Sequence, residues 1–287
     1  MITSVRGYTL IEVMIVLAVT GALFVSAVGL FSGRTSSAQF SQAMYDLQSQ
    51  VQSYANQVST GTFPATTPYL CQASGNPVRP ALSAAAQAQS TNQDCLYVGR
   101  AILAIPGSNK LYVYSVLGLR DVYQGSTDTG QTVTALSQAS PDVAKIATTN
   151  TYVLSEAYQF LPGLTIVSSK YYSTATTNQS AELLDIYSTF QNTGSSGQSI
   201  TAYTIPGLSS SDIGTPPANS AVDSALENCL QLQTSPNTAC ATPQIIGNYG
   251  WRLCIQDSGS NGKKAELTVI SAATGIDTKL AIGSCSS

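Results

Sequence analysis

A single carboxylate stands in a long apolar run: between Tyr8 and Phe31, Glu12 is the only ionisable side chain. In lipid or in a protein core such a group costs on the order of a few kcal/mol unless a cation neutralises it. Its chemistry is therefore ion pairing, and a free amine is a fitting partner. The residues that other chemistries require are missing. The 287 residues include no His, which removes Ser-His-Asp and Cys-His catalysis, the usual imidazole base and the commonest metal ligand. No acids pair at a recognisable catalytic spacing, and none form a calcium-loop pattern, so no enzyme activity, metal or cofactor is expected. Cys71, Cys95, Cys229, Cys240, Cys254 and Cys285 never form C-x-x-C, which speaks against a structural zinc site or a redox pair. An even number of cysteines downstream of an apolar segment suggests disulfides in an exported domain.

The element that must position Glu12 is the segment around it. At ~1.5 Å rise per residue, residues 8–31 form a helix about 36 Å long, enough to span the roughly 30 Å hydrocarbon core of a bilayer. Arg6 on the N-terminal side keeps the leader in the cytoplasm and sends everything after Phe31 outward. An ordinary signal peptide has an apolar core of about 7 to 15 residues ending at a small-x-small site, shorter than this one. A plain signal anchor explains the length and the orientation, but not a carboxylate near the start.

Arg6-Gly7-Tyr8-Thr9-Leu10-Ile11-Glu12-Val13-Met14-Ile15-Val16-Leu17 resembles the cleavage and methylation motif of type IV prepilins and type II secretion pseudopilins. The resemblance implies that a prepilin peptidase cuts between Gly7 and Tyr8 and methylates the amine of Tyr8. It makes Glu12 the fifth residue of the mature chain and the residue of assembly, pairing with the Tyr8 amine of a neighbouring subunit or, alternatively, with its own. Tyr8 stands where the family usually has Phe. Gly21 matches a glycine frequent in the family's first helix, and the kinking Pro of many members is absent. Gly21, Gly29 and Gly33 can loosen the helix instead, or serve close packing through small residues.

Beyond Arg34 the pattern stays helical. Phe40, Met44, Leu47, Val51, Tyr54 and Val58 recur at spacings of four and three, one apolar stripe. Gln39, Gln42, Gln48, Gln50, Gln52, Asn56 and Gln57 lie between them, with Asp46 the only charge, so the opposite face is expected to be wet and nearly neutral. The helix is expected over residues 8–59, with Gly61 and Pro64 ending it. Residues 60–287 read as an exported β-rich head, with strands at Leu96 to Ile105, Lys110 to Leu117, Leu164 to Ser168, Leu183 to Phe190 (or a helix there), Trp251 to Gln256, Ala265 to Ile270 and Lys279 to Ile282. The last three form a meander, the first pair of them around an Asn261-Gly262 turn. Ala81 to Ala88 and Asn219 to Leu232 favour helix; residues 90–94, 125–130, 194–198 and 209–219 read as loops. The fold class is α+β, and the resemblance implies that the C-terminal half of the helix packs on an antiparallel sheet, as in pilins.

Cys71 and Cys95 are expected to pair across a loop, and the later four among themselves. Nearest-neighbour pairing gives Cys229 with Cys240 and Cys254 with Cys285. In a regular meander, however, the outer strands are about 9.6 Å apart, too far for a disulfide. That pair survives if Cys285 curls back past the strand end; the alternatives are Cys229 or Cys240 with Cys254, or free thiols.

Charged residues make up 9% of the chain, net charge is -3, and no Lys or Arg run appears, so nucleic acid is not an expected partner. The resemblance implies a major or minor subunit of a type IV pilus or a related pseudopilus. Its partners are other subunits, the prepilin peptidase, the inner-membrane assembly platform and the membrane itself; the finished filament stands at the cell surface, its heads available for adhesion, motility or DNA uptake. A signal-anchored exported binding protein is the reading from another class.

Overall fold

The computed structural model describes residues 9–61, 70–83, 94–146, 151–152, 154–172, 179–188, 200–205, 208, 222, 224–226, 244–245, 250–259, 262–272 and 275–285. One helix, α1 (Leu10–Thr60), comes first. There follow β1 (Leu70–Ser74), β2 (Arg79–Ser83), β3 (Cys95–Ala104), β4 (Lys110–Leu119), β5 (Asp121–Gln124), β6 (Thr127–Thr132), β7 (Asp142–Val143), β8 (Lys145–Ile146) and β9 (Thr151–Tyr152). The remaining strands are β10 (Leu154–Gln159), β11 (Leu164–Tyr171), β12 (Gln179–Ser180), β13 (Leu183–Ser188), β14 (Ile200–Ile205), β15 (Gln244–Ile245), β16 (Trp251–Asp257), β17 (Lys264–Ala272) and β18 (Gly275–Ile282). The chain divides into two units, Met1–Ala43 and Met44–Ser287. The second holds all the strands and the C-terminal part of α1, so the fold is α+β.

The strands form a seven-stranded sheet in the order β10-β4-β3-β13-β14-β15 with β7 on β4, a five-stranded sheet β12-β11-β16-β17-β18, a four-stranded sheet β1-β2-β8-β9, and the hairpin β5-β6. Among the described pairs only β2 with β8 is parallel. β3 and β4 are buried along almost their whole length, because the seven-stranded sheet is covered on both faces, which is why they read as continuous apolar runs. One face carries Ala101, Leu103, Val116, Leu183 and Tyr187, packed with Val222 and Leu226. On the other face Arg100 lies 4.8 Å from the centre of the Tyr54 ring of α1, its neighbours alternating across the pleat. Met44, Leu47, Val51, Tyr54 and Val58, the part of the apolar stripe in the second unit, are all buried.

The glutamine face differs from expectation. Gln48, Gln50 and Gln52 are half-buried rather than wet, because each finds a partner in the head. Gln48 Nε2 donates to the Thr278 carbonyl at 2.8 Å, Gln52 Nε2 to the Ile276 carbonyl at 3.1 Å, and Gln50 Nε2 to Glu156 Oε1 at 3.0 Å.

Other corrections follow from pairing. The start of the run expected as helix from Ala81 is strand, Leu82 standing opposite Cys71; tertiary pairing overrides the propensity of Ala. Leu183 to Ser188 is strand, flanked by β3 and β14. Residues 125–130 are not a loop but the turn and second strand of β5-β6: Gln124 pairs with Thr127 around Gly125 at φ 62, the positive φ at the first central position that a II′ turn demands. The meander β16-β17-β18 is present. Its first turn is longer than two residues: Gln256 pairs with Lys264 and Gly262 has φ 50, while Asn261 lies outside the described residues. So do the expected loops at 194–198 and 209–219, residues 90–93, and most of the expected helix at 219–232, of which 222 and 224–226 are helical.

Cys71 and Cys95 are bonded, Cα atoms 5.8 Å apart. Cys254 and Cys285 are bonded at 5.7 Å, although β17 separates their strands. Chain reversal after Ile282 resolves the geometric objection. Gly283, at φ 113, turns the chain over β17 and brings Cys285 Sγ to 3.5 Å from the Ala265 carbonyl oxygen. Cys229 and Cys240 lie outside the described residues.

Candidate assembly site

The N-terminal end of α1 is built by Thr9 and Glu12. The Glu12 N–H donates to the Thr9 carbonyl at 3.0 Å and to Thr9 Oγ1 at 3.3 Å, so Thr9 is the N-cap and Glu12 the third helical residue. That is half of a capping box, and the signal was legible as Thr-x-x-Glu, though the motif reading gave Thr9 no role. The carboxylate in the first turn meets the positive end of the helix dipole, worth typically 0.3–1 kcal/mol. Gly7 and Tyr8 lie outside the described residues.

Around and after Glu12 the helix presents apolar side chains without cover: Leu10 is 74%, Phe24 71% and Val25 73% exposed. Polar side chains in this stretch are spent on their own backbone. Thr20 Oγ1 donates to the Val16 carbonyl at 2.7 Å, and Ser26 Oγ to the Ala22 carbonyl at 2.8 Å, the back-bonding that lets a hydroxyl sit in an apolar helix. Gly21 has open space around it, and α1 continues through Gly21, Gly29 and Gly33. Among the described residues no helix is long and apolar enough to cross a membrane. The described apolar side chains from Leu10 to Val25 fall short of the ~20 that a span needs. The expected segment 8–31 extends beyond them at both ends.

In the head, pattern reasoning missed two buried charged side chains, Arg100 and Asp185. Arg100, 2% exposed, donates from Nε to Tyr97 Oη at 3.2 Å and lies 3.9 Å from Glu156. Burial pushes the Tyr97 phenol up to about 12, so it meets Arg100 as a neutral acceptor. Asp185 is fully buried, opposite Ala101 on β3 and Tyr203 on β14, and among the described residues neither of its oxygens has a hydrogen-bond partner. Burial raises its pKa to about 8. No spacing rule could have found these groups, since each depends on which strand lies beside which. Among the described residues no group of His, Cys, Asp and Glu could hold a metal.

No curated protein and no solved structure matches the chain. Residues 2–28 match the family model of the prokaryotic N-terminal methylation motif. The match spans the Thr9 cap, Glu12 and the uncovered apolar turns, and ends before the head. The chain carries a prepilin-type N-terminal methylation motif, in agreement with the type IV prepilin and pseudopilin resemblance of its first residues.

Proposed function

We propose that the chain is a structural subunit of a type IV pilus or a related pseudopilus filament, held in the membrane by residues 8–31 before assembly, with the head, residues 60–287, outside the cytoplasm. One observation carries this reading: the matched motif opens a helix whose large apolar side chains, from Leu10 to Val25, are uncovered. Burying such surface is favourable by roughly 25 cal/mol per Å², which lipid supplies before assembly and neighbouring helices supply after it.

In this account a prepilin peptidase cuts between Gly7 and Tyr8 and methylates the new amine. The Glu12 carboxylate, held in the first turn of the helix that Thr9 caps, then meets the Tyr8 amine of a neighbouring subunit, which sets the axial position of each incoming copy. Gly21, Gly29 and Gly33 allow helices to approach closely or bend. The protein does no chemistry itself. Its partners are other subunits, the peptidase and an inner-membrane assembly platform, and the disulfide-stapled head provides the exposed surface of the filament.

Filament yield at equal membrane level tests the pairing. Glu12→Ala and Glu12→Gln are expected to reduce it at least about tenfold, the equivalent of ~1.4 kcal/mol. Wild-type yield from both variants overturns the role of Glu12.

A further inference from the structure

The hydrogen bonds of Gln48 and Gln52 fall on one edge strand with matched spacing. Four helical residues rise about 6 Å and two strand residues about 6.8 Å, so side chains at i and i+4 can meet alternate carbonyls of a strand running the opposite way. Gln48 meets Thr278 and Gln52 meets Ile276; Thr278 Oγ1 in turn donates to Gln52 Oε1 at 3.2 Å. These carbonyls lie on the outer edge of β18. The alternate residues face β17, as the bond from the Gly283 N–H to the Lys264 carbonyl at 2.8 Å shows. From the other flank of α1, Gln50 reaches Glu156 on β10, an edge strand of the seven-stranded sheet.

We propose that Gln48 and Gln52 are positioning residues that fix the axial register of α1 against the head, a task the apolar stripe cannot do. The stripe nearly repeats itself after seven residues: a slip of that length puts Met44 in the place of Val51, Leu47 in that of Tyr54 and Val51 in that of Val58. Apolar burial is non-directional and tolerates such exchanges. Gln48 and Gln52 do not repeat in the same way, although Gln50 does in one direction. Seven residues earlier stand Ser41, Ala43 and Tyr45, and seven later Ala55, Gln57 and Ser59, so in either slipped register the carbonyls of Ile276 and Thr278 lose both glutamine donors. Unpaired buried polar groups cost more than a paired group gains, and a polar residue in an apolar helix seam is a known means of choosing one register. The same bonds cover part of a sheet edge that would otherwise be open, where unpaired backbone invites another strand.

The inference concerns the single chain and stands apart from the filament reading, so it is tested on the full chain in detergent. Spin labels on introduced non-cysteine residues at positions 49 and 279, both exposed in the native side chains, report the distance between α1 and β18. The unsubstituted glutamines are expected to give one narrow distance. Gln48→Leu with Gln52→Leu is expected to add a second population displaced by a turn to a heptad, roughly 5 to 10 Å. Gln48→Lys, which keeps an N–H donor, is expected to retain the single distance. If the double variant does not fold, Gln48→Ala and Gln52→Ala are measured singly, each expected to broaden the distribution. A single unchanged distance in the folded leucine variant, or in both alanine variants, overturns the proposal even if stability falls.

Discussion

Thr9 Oγ1 accepts the Glu12 N–H at 3.3 Å, so the residue that caps the long helix and the residue assigned to assembly are one structural unit. The hydroxyl satisfies a donor that the first helical turn leaves orphaned, and the carboxylate is held three residues inside the helix.

Thr9→Ala is expected to weaken this helix end by about 1 kcal/mol. Amide exchange at Glu12 and Val13 then accelerates roughly fivefold, while exchange in the second unit stays as it was. Thr9→Ser, which keeps the hydroxyl, is expected to behave like the parent chain.

Asp185 sets a pH dependence of stability. Its folded pKa, about 8 through burial, lies above the ~3.9 of an unfolded Asp. The folded state therefore keeps a proton that the unfolded state releases. Stability is greatest below pH ~4 and falls as pH rises towards 8, by up to about 1.4 kcal/mol per unit. Thermal unfolding followed from pH 4 to 8 is expected to show this fall, and Asp185→Asn to flatten it and raise the melting temperature at pH 8. An equal slope in both proteins rules Asp185 out as its source.

Gly99 sits where β3 passes β13, and a Cβ there meets the Ile186 carbonyl oxygen and comes within 2.8 Å of the Tyr187 Cα. Backbone cannot yield as a flexible side chain does. Gly99→Ala is expected to cost on the order of 1–3 kcal/mol, read from denaturant midpoints of the oxidised chain.

Cys71→Ser with Cys95→Ser opens a bond between residues 24 apart in sequence, worth about 3–4 kcal/mol on the chain-entropy view. A head of unchanged stability after this double substitution contradicts that estimate.

The sequence made the long helix and the main strands of the sheets readable because their burial leaves a periodic or continuous apolar record. Leu183 to Ser188 was ambiguous for the same reason. Buried between β3 and β14, it has no wet face and so no alternation to mark it as strand. β6 carried the opposite difficulty, being exposed throughout, with no apolar side chain pointing to a core. The glutamines of α1 looked solvated because composition cannot distinguish a wet amide from one that reaches an edge strand. Arg100 and Asp185 depend on strand neighbours far away in sequence, and the Cys254–Cys285 bond on a reversal after Gly283 that no strand rule contains. At the N-terminus of α1 the cap signal is local, since Thr9 and Glu12 are one turn apart, although the motif reading gave Thr9 no role.

Mass spectrometry of the N-terminal peptide from membrane-extracted protein tests the central claim most directly. The account predicts a chain beginning at Tyr8 and carrying an added methyl on its amine. A chain still beginning at Met1, in cells that possess the peptidase, contradicts it and leaves a signal anchor in place of a processed filament subunit.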